Sequence, residues 1–187
     1  MDSYLHERLP ESAWHKRLVR NGALCFLEFD STDVDSLARL GIAVDALGPY
    51  RVVCMWDEGS QLEIGGYLIV DNLAMGKPSM GGIRMAPEVT AAAIHNLARG
   101  MTLKNAAAHL PYGGGKSGIV AGHGLTPERH TEVLRGWAHL IYRYRDIYLP
   151  GPDVGTNDSD MRTIAVENGI LLARKSLAKL LQSQTDW

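Results

Sequence analysis

The chain alternates short β-rich runs with segments whose apolar residues recur at helical spacing. Leu24-Cys25-Phe26-Leu27-Glu28-Phe29 predicts a strand. Asp30-Ser31-Thr32 offers helix caps, Val34, Leu37, Ala38 and Leu40 follow at helical spacing, and Gly41 closes that short helix. Tyr50–Trp56 and Gln61–Asn72 flank the turn residues Asp57-Glu58-Gly59-Ser60, which predicts a hairpin. The first 24 residues are polar and mixed, and a short helix over 11–21 is the only element they suggest.

From residue 76 the pattern changes. Gly76–Gly82 reads as a loop, and the alanine-rich run Ala91–Leu110 as a helix with Thr90 as N-cap, stopped by Pro111. Gly113–Gly118 reads as a glycine loop before a short strand, Ile119–Ala121. Thr126-Pro127-Glu128 is a cap, a proline at the first helical position and an acid in the first turn. The helix it opens runs to about residue 144, with Val133, Leu134, Trp137, Leu140 and Ile141 on one side. Pro150–Asn157 reads as a second loop, and a third helix starts near Asp158. Leu172, Ala173, Leu177, Leu180 and Leu181 keep helical spacing and predict an amphipathic tail.

At 187 residues the chain has room for one α/β or α+β layer structure. Apolar residues at 45% and charged residues at 21% exclude wholesale disorder. A net charge of −2 gives no reason to expect nucleic acid or an anionic membrane as partner. No apolar run is long enough to span a bilayer, and the N-terminus lacks the pattern of a signal peptide. Cys25 and Cys54 lie far apart without metal-ligand spacing. Together these features predict a cytoplasmic protein.

The glycine run matches two phosphate-binding patterns only in part. Gly113 to Gly118 spells G-x-G-x-x-G, but a dinucleotide fingerprint follows a strand and opens a helix, and here the order is reversed. Gly115-Lys116-Ser117 ends like a Walker A loop, yet Leu110 stands where its first glycine belongs and Pro111 removes an N–H donor. A third reading remains. Glycines let backbone approach a small ligand, and a poorly hydrated lysine near other cations becomes a base at neutral pH. Lys104, Arg84 and Asp153 are ambiguous alone: Lys104 reads equally as a snorkelling surface lysine, and Asp153 as a turn or cap residue. Taken together, two lysines and an aspartate suit an anionic substrate whose reacting centre exchanges protons.

Four stretches carry a family resemblance: Gly81-Gly82-Ile83-Arg84-Met85-Ala86-Pro87; Met101-Thr102-Leu103-Lys104-Asn105-Ala106-Ala107; Leu110-Pro111-Tyr112-Gly113-Gly114-Gly115-Lys116-Ser117-Gly118; and Gly151-Pro152-Asp153-Val154-Gly155-Thr156-Asn157 with Asp160-Met161. In order and spacing they resemble the N-terminal domain of the glutamate/leucine/phenylalanine/valine dehydrogenase family, over about residues 50–169. The resemblance implies a single three-layer α/β domain with a mixed sheet flanked by helices over residues 1–169, and a divergent helical tail over 170–187. It implies that Lys104 binds the substrate α-carboxylate, that Lys116 is the catalytic lysine activating water, and that Asp153 passes protons to and from the substrate nitrogen. Gly82 becomes a backbone contact to substrate. The reaction implied is reversible oxidative deamination of an L-amino acid to a 2-oxo acid and ammonia, with NAD or NADP taking the hydride, in a homo-oligomer.

Two departures bear on function. Glutamate-specific members usually carry a lysine directly before the Gly-Gly pair; here Met80 stands there, and methionine cannot neutralise a buried carboxylate. Met80 resembles the apolar residue of members preferring leucine, valine or phenylalanine, with Lys77 three residues earlier as the one cation near enough to compensate. The family's cofactor domain does not follow in these 187 residues. Two functions stay open: a dehydrogenase component paired with a separate Rossmann-domain chain, or a non-catalytic oligomerisation or amino-acid-binding relative.

Overall fold

The computed structural model describes residues 1–122 and 124–169. The elements run α1 (Asp2–His6), α2 (Glu11–Arg17), β1 (Leu18–Asn21), β2 (Leu24–Phe29), α3 (Val34–Arg39), β3 (Arg51–Asp57), β4 (Gly65–Asn72), β5 (Ser79–Ala86), α4 (Ala91–Ala107), β6 (Gly113–Val120), α5 (Pro127–Tyr142), β7 (Tyr148–Pro152) and α6 (Asp158–Glu167). The seven strands form one sheet in the order β1-β2-β3-β4-β6-β5-β7. The β1 to β4 half and the β4–β6 join are antiparallel; β5 runs parallel to both β6 and β7. The sheet is thus mixed and covered by helices on both faces, as the resemblance implies.

Strand alternation sorts the core into two layers. Cys25, Leu27 and Phe29 of β2, Val52, Cys54 and Trp56 of β3, and Tyr67 and Ile69 of β4 pack with Leu5, Trp14, Leu37, Ile94 and Ala98 from α1 to α4. Their neighbours Phe26, Val53, Met55, Leu68 and Val70 face the other way and pack against Val133, Leu134, Trp137, Leu140 and Ile141 of α5 and Ile164 of α6. The helix caps form as their chemistry dictates. Thr90 accepts from the Ala93 N–H, Thr126 from the Arg129 N–H, and Asn157 with Asp160 makes a reciprocal capping box on α6.

Four sequence expectations need correction. The helix over 11–21 ends at Arg17, and Leu18–Asn21 pairs with β2 as an edge strand. The loop expected over 76–82 gives way to β5 at Ser79. The glycine loop is itself a strand, β6, with the expected strand at 119–121 as its end. Glycine lowers strand propensity, so local chemistry hides this element. Tertiary packing demands it: a Cβ on Gly114 would collide with Thr102 of α4, and one on Gly118 would stand 2.5 Å from Ile94 Cδ1. β7 likewise emerges from the region read as loop, its two prolines placed on the outermost strand. The amphipathic helix expected over 172–181 lies outside the described residues. No helix among the described residues is long and apolar enough to cross a membrane.

Candidate functional site

The glycine-rich strand lets α4 lie directly on the sheet, and this close approach builds the site. The buried stripe of α4 begins with Ile94 and Ala98 and turns polar at Thr102 and Asn105. Asn105 Nδ2 donates to the Gly113 carbonyl at 2.9 Å, fixing the C-terminal half of the helix over the start of β6. Along β6, Gly114, Lys116 and Gly118 share the α4 face, whereas Ile119 enters the opposite core.

Lys116 sits mid-strand, opposite Ile69 of β4, and is buried. On β5, Ile83 pairs with Ser117 and Arg84 with Gly118, which puts Gly82 beside Lys116. Gly82 also pairs with Gly151 of β7. The chain then leaves the sheet at Asp153, whose carboxylate turns back over β5. Lys116 Nζ lies 3.0 Å from Asp153 Oδ2, and Arg84 Nε donates to the same oxygen at 2.9 Å. A Cβ on Gly82 would stand 2.7 Å from the Pro152 carbonyl oxygen, 2.8 Å from Asp153 Cβ and 3.0 Å from Lys116 Nζ. Only glycine admits this convergence.

The turn after Asp153 is clamped to β5. The Asp153 N–H donates to Thr156 Oγ1 at 3.0 Å, and that hydroxyl donates to the Ile83 carbonyl at 2.7 Å. The Met85 N–H donates to the Val154 carbonyl. Gly155 supplies the left-handed residue, φ +79°, that brings its backbone against the Met85 carbonyl. Partial burial works to raise the pKa of Asp153, but hydrogen bonds from Lys116 and Arg84 more than offset it, and the carboxyl stays below its ordinary value. Asp153 is therefore an anion at neutral pH.

Of the other expected site residues, Met80 shares the face of Gly82 and Arg84, one alternation earlier, half-buried and paired with Gly114 and Leu149. Lys104 lies exposed in the last turn of α4 and makes no ion pair among the described residues. One turn earlier Met101 reaches the backbone of Gly81, so this side of the helix overlies the start of β5. The structure joins Lys116, Gly82 and Asp153 directly; Lys104 and Met80 stand at the same end of the sheet without touching the ion pair. Arg84, ambiguous in the sequence, proves to be a direct partner of Asp153. Its signal was period-two spacing from Gly82, readable only once 79–86 is seen as a strand.

A second polar cluster anchors α4. Asp71, at the end of β4, is fully buried; Arg99 Nε donates to it at 2.8 Å and Thr102 Oγ1 at 2.6 Å, and His95 Nε2 lies 3.5 Å away. Burial raises its pKa, and bonds from His95, Arg99 and Thr102 outweigh that and hold it low. Arg99 also grips Asp45 through two hydrogen bonds, at 2.7 and 2.9 Å. An apolar cavity of about 440 Å³ lies away from the ion pair, lined among others by Leu62, Val89, Val120, Leu125 and Val133; none of the expected site residues lines it.

The residues present do not fit a dinucleotide. Cβ atoms on Gly113, Gly114 and Gly118 would meet Asn72, Thr102 and Ile94, so the glycines face protein and leave no cradle for a pyrophosphate. The fold is a single mixed α/β domain in which Lys116, Asp153 and Gly82 meet at one end of the sheet. The chain belongs to the glutamate/leucine/phenylalanine/valine dehydrogenase family: residues 49–168 match the model described as "Glu/Leu/Phe/Val dehydrogenase, dimerisation domain". It is 40% identical over 108 residues to an NAD-specific glutamate dehydrogenase of Peptoniphilus asaccharolyticus, covering 56% of this chain and 25% of that protein. It is 33% identical over 149 residues to an NADP-specific glutamate dehydrogenase of Saccharolobus shibatae, covering 78% of this chain and 34% of that one. Among solved structures it is similar to L-tryptophan dehydrogenase from Nostoc punctiforme, at TM-score 0.52 and 30% identity over 61% of this chain and 34% of that chain. It is also similar to glutamate dehydrogenase from P. asaccharolyticus, at TM-score 0.57 and 25% identity over 92% of this chain and 38% of that chain. The chain thus spans a quarter to a third of the length of the curated relatives it matches.

Proposed function

We propose that this chain supplies the substrate-binding and proton-handling domain of an NAD(P)-dependent amino-acid dehydrogenase. The observation that carries the reading is the Lys116–Asp153 ion pair packed against Gly82. Overall, an L-amino acid, water and oxidised cofactor become a 2-oxo acid, ammonium, reduced cofactor and one proton. The hydride acceptor belongs to a nucleotide-binding domain outside the residues described here. Lys104 takes the α-carboxylate by charge, and Gly82 offers backbone alongside it. Lys116, as the neutral amine, takes a proton from the water that attacks the imino carbon; Asp153 carries protons to and from the substrate nitrogen. Met80 meets the substrate side chain, so branched or aromatic amino acids are preferred to glutamate, whose second carboxylate would lose hydration without a partner. The domain works in the cytoplasm as a homo-oligomer of dimerisation domains.

A second reading, an amino-acid-binding or oligomerising subunit without chemistry, is favoured by the lack of a dinucleotide cradle among the described residues. One experiment separates the two: mix the chain with a free-standing nucleotide-binding domain of the family and follow amino-acid-dependent reduction of NAD and NADP. The expected result is turnover with leucine, valine or phenylalanine above that with glutamate, falling at least a thousandfold in Lys116→Ala. Ligand binding without turnover would favour the second reading, and a kinetic preference for glutamate would overturn the role of Met80.

A further inference from the structure

Asp153 is held by two cations of different kinds on one oxygen. Lys116 Nζ and Arg84 Nε approach Oδ2 at 3.0 and 2.9 Å. A lysine paired only with a carboxylate is a poor base, because the ion pair favours its charged form. The proposed chemistry needs Lys116 to release its proton beside an anionic Asp153. Arginine never gives up its proton at accessible pH, so a guanidinium on the same oxygen compensates Asp153 whichever state Lys116 is in. We propose that Arg84 is a positioning residue that acts through Asp153: it serves as the permanent counter-charge that frees Lys116 to cycle between ammonium and amine. This rests on the assignment of Lys116 as the base, made above.

The surroundings leave this task to Arg84. From β7 and its turn, Asp153 is the acid at Lys116, and from β5 Arg84 is the cation. From β4 the nearest acid is Asp71, already engaged by Arg99, Thr102 and His95 of α4. Lys104, also on α4, is exposed and pairs with no acid among the described residues. On the opposite face, the Tyr148 hydroxyl is buried and bonded to Ser117 Oγ and the Gly81 carbonyl. Burial pushes that phenol well above its usual range, so it stays neutral and adds no charge. Arg84 also keeps the carboxylate aimed: its backbone belongs to β5, and Thr156 ties the turn bearing Asp153 to that same strand.

The test reads the proton on Lys116 directly and needs neither substrate nor cofactor. The full chain is labelled competitively with acetic anhydride across a pH series, and the Lys116 peptide is quantified by mass spectrometry. In Arg84→Gln the labelling of Lys116 at a fixed pH is expected to fall about tenfold relative to wild type. Arg84→Met is expected to do the same and serves if the glutamine variant fails to fold. Arg84→Lys replaces the permanent cation with one that itself titrates, and is expected to fall between the wild type and the neutral variants. Unchanged labelling in a folded neutral variant would overturn the proposal. Reduced labelling in a chain that binds no 2-oxo acid would uphold the coupling of these charges while removing the dehydrogenase reading.

Discussion

A methyl group on Gly82 would press on three atoms at once: the Pro152 carbonyl oxygen, Asp153 Cβ and Lys116 Nζ. Two of these belong to the ion pair's own residues, and the third is backbone, so none can retreat without opening the Lys116–Asp153 contact. Gly82→Ala is therefore expected to weaken 2-oxo acid binding at least tenfold. Gly151 is its register partner on β7, where a Cβ would meet nothing within 4 Å. Gly151→Ala is expected to leave binding unchanged, and calorimetry on the two variants checks the contrast. The same close approach explains the pairing of a charged and a glycine residue on adjacent strands: Lys116 Nζ occupies the space that a Cβ on Gly82 would crowd.

α4 is the element that positions this end of the sheet, and Asp71 is its anchor. A carboxyl held below its ordinary pKa in the fold contributes stability that is complete above the unfolded-state value and is lost as pH falls through the folded one. The Asp71 cluster should thus stabilise the chain at neutral pH and fade in acid, below about pH 4. Asp71→Asn is expected to cost about 3 kcal/mol near neutrality, because Arg99 and Thr102 lose a buried anion. Urea melts at pH 7 and at about pH 2 should show that cost shrinking in acid, and an equal cost at both would contradict the ionised role of Asp71. The elements differ in how far the sequence reveals them. The helix opened by Thr90 carries a cap and strong helix formers, and the one opened by Thr126 a cap and a periodic apolar face; both form, α4 ending at Ala107 rather than Leu110. β5, β6 and β7 carry the site, and their local signal is glycine and proline. Their strand character comes from partners far along the chain, such as Ile69 opposite Lys116 and Met80 opposite Leu149. The family motifs located Lys116 and Asp153 without that knowledge. Arg84 needed the strand.

At the scale of the whole molecule, the apolar cores and the site occupy different parts of one sheet. The β2–β3–β4 region is packed with large side chains on both faces. The β5–β6–β7 region trades side chains for glycines, and its charges gather where α4 presses on it. One end is filled by apolar side chains and the other by the close approach of backbone and helix. The family resemblance implied the layers and the mixed sheet, whereas the apolar pattern marked β2 to β4 and the long helices and left β5 to β7 largely as loop. The family match over residues 49–168 covers α4, β5, β6 and β7, so the site lies wholly inside it.

The proposed function requires this sheet end to bind a 2-oxo acid through Lys104 and the Lys116–Asp153 pair. Isothermal titration of the chain with 2-oxoisocaproate, run beside 2-oxoglutarate and beside the Lys104→Ala variant, measures that binding. The expected result is saturable binding of 2-oxoisocaproate, weaker binding of 2-oxoglutarate, and loss of at least tenfold in affinity when Lys104 is removed. Binding that is absent for both acids, or unchanged in Lys104→Ala, would contradict it.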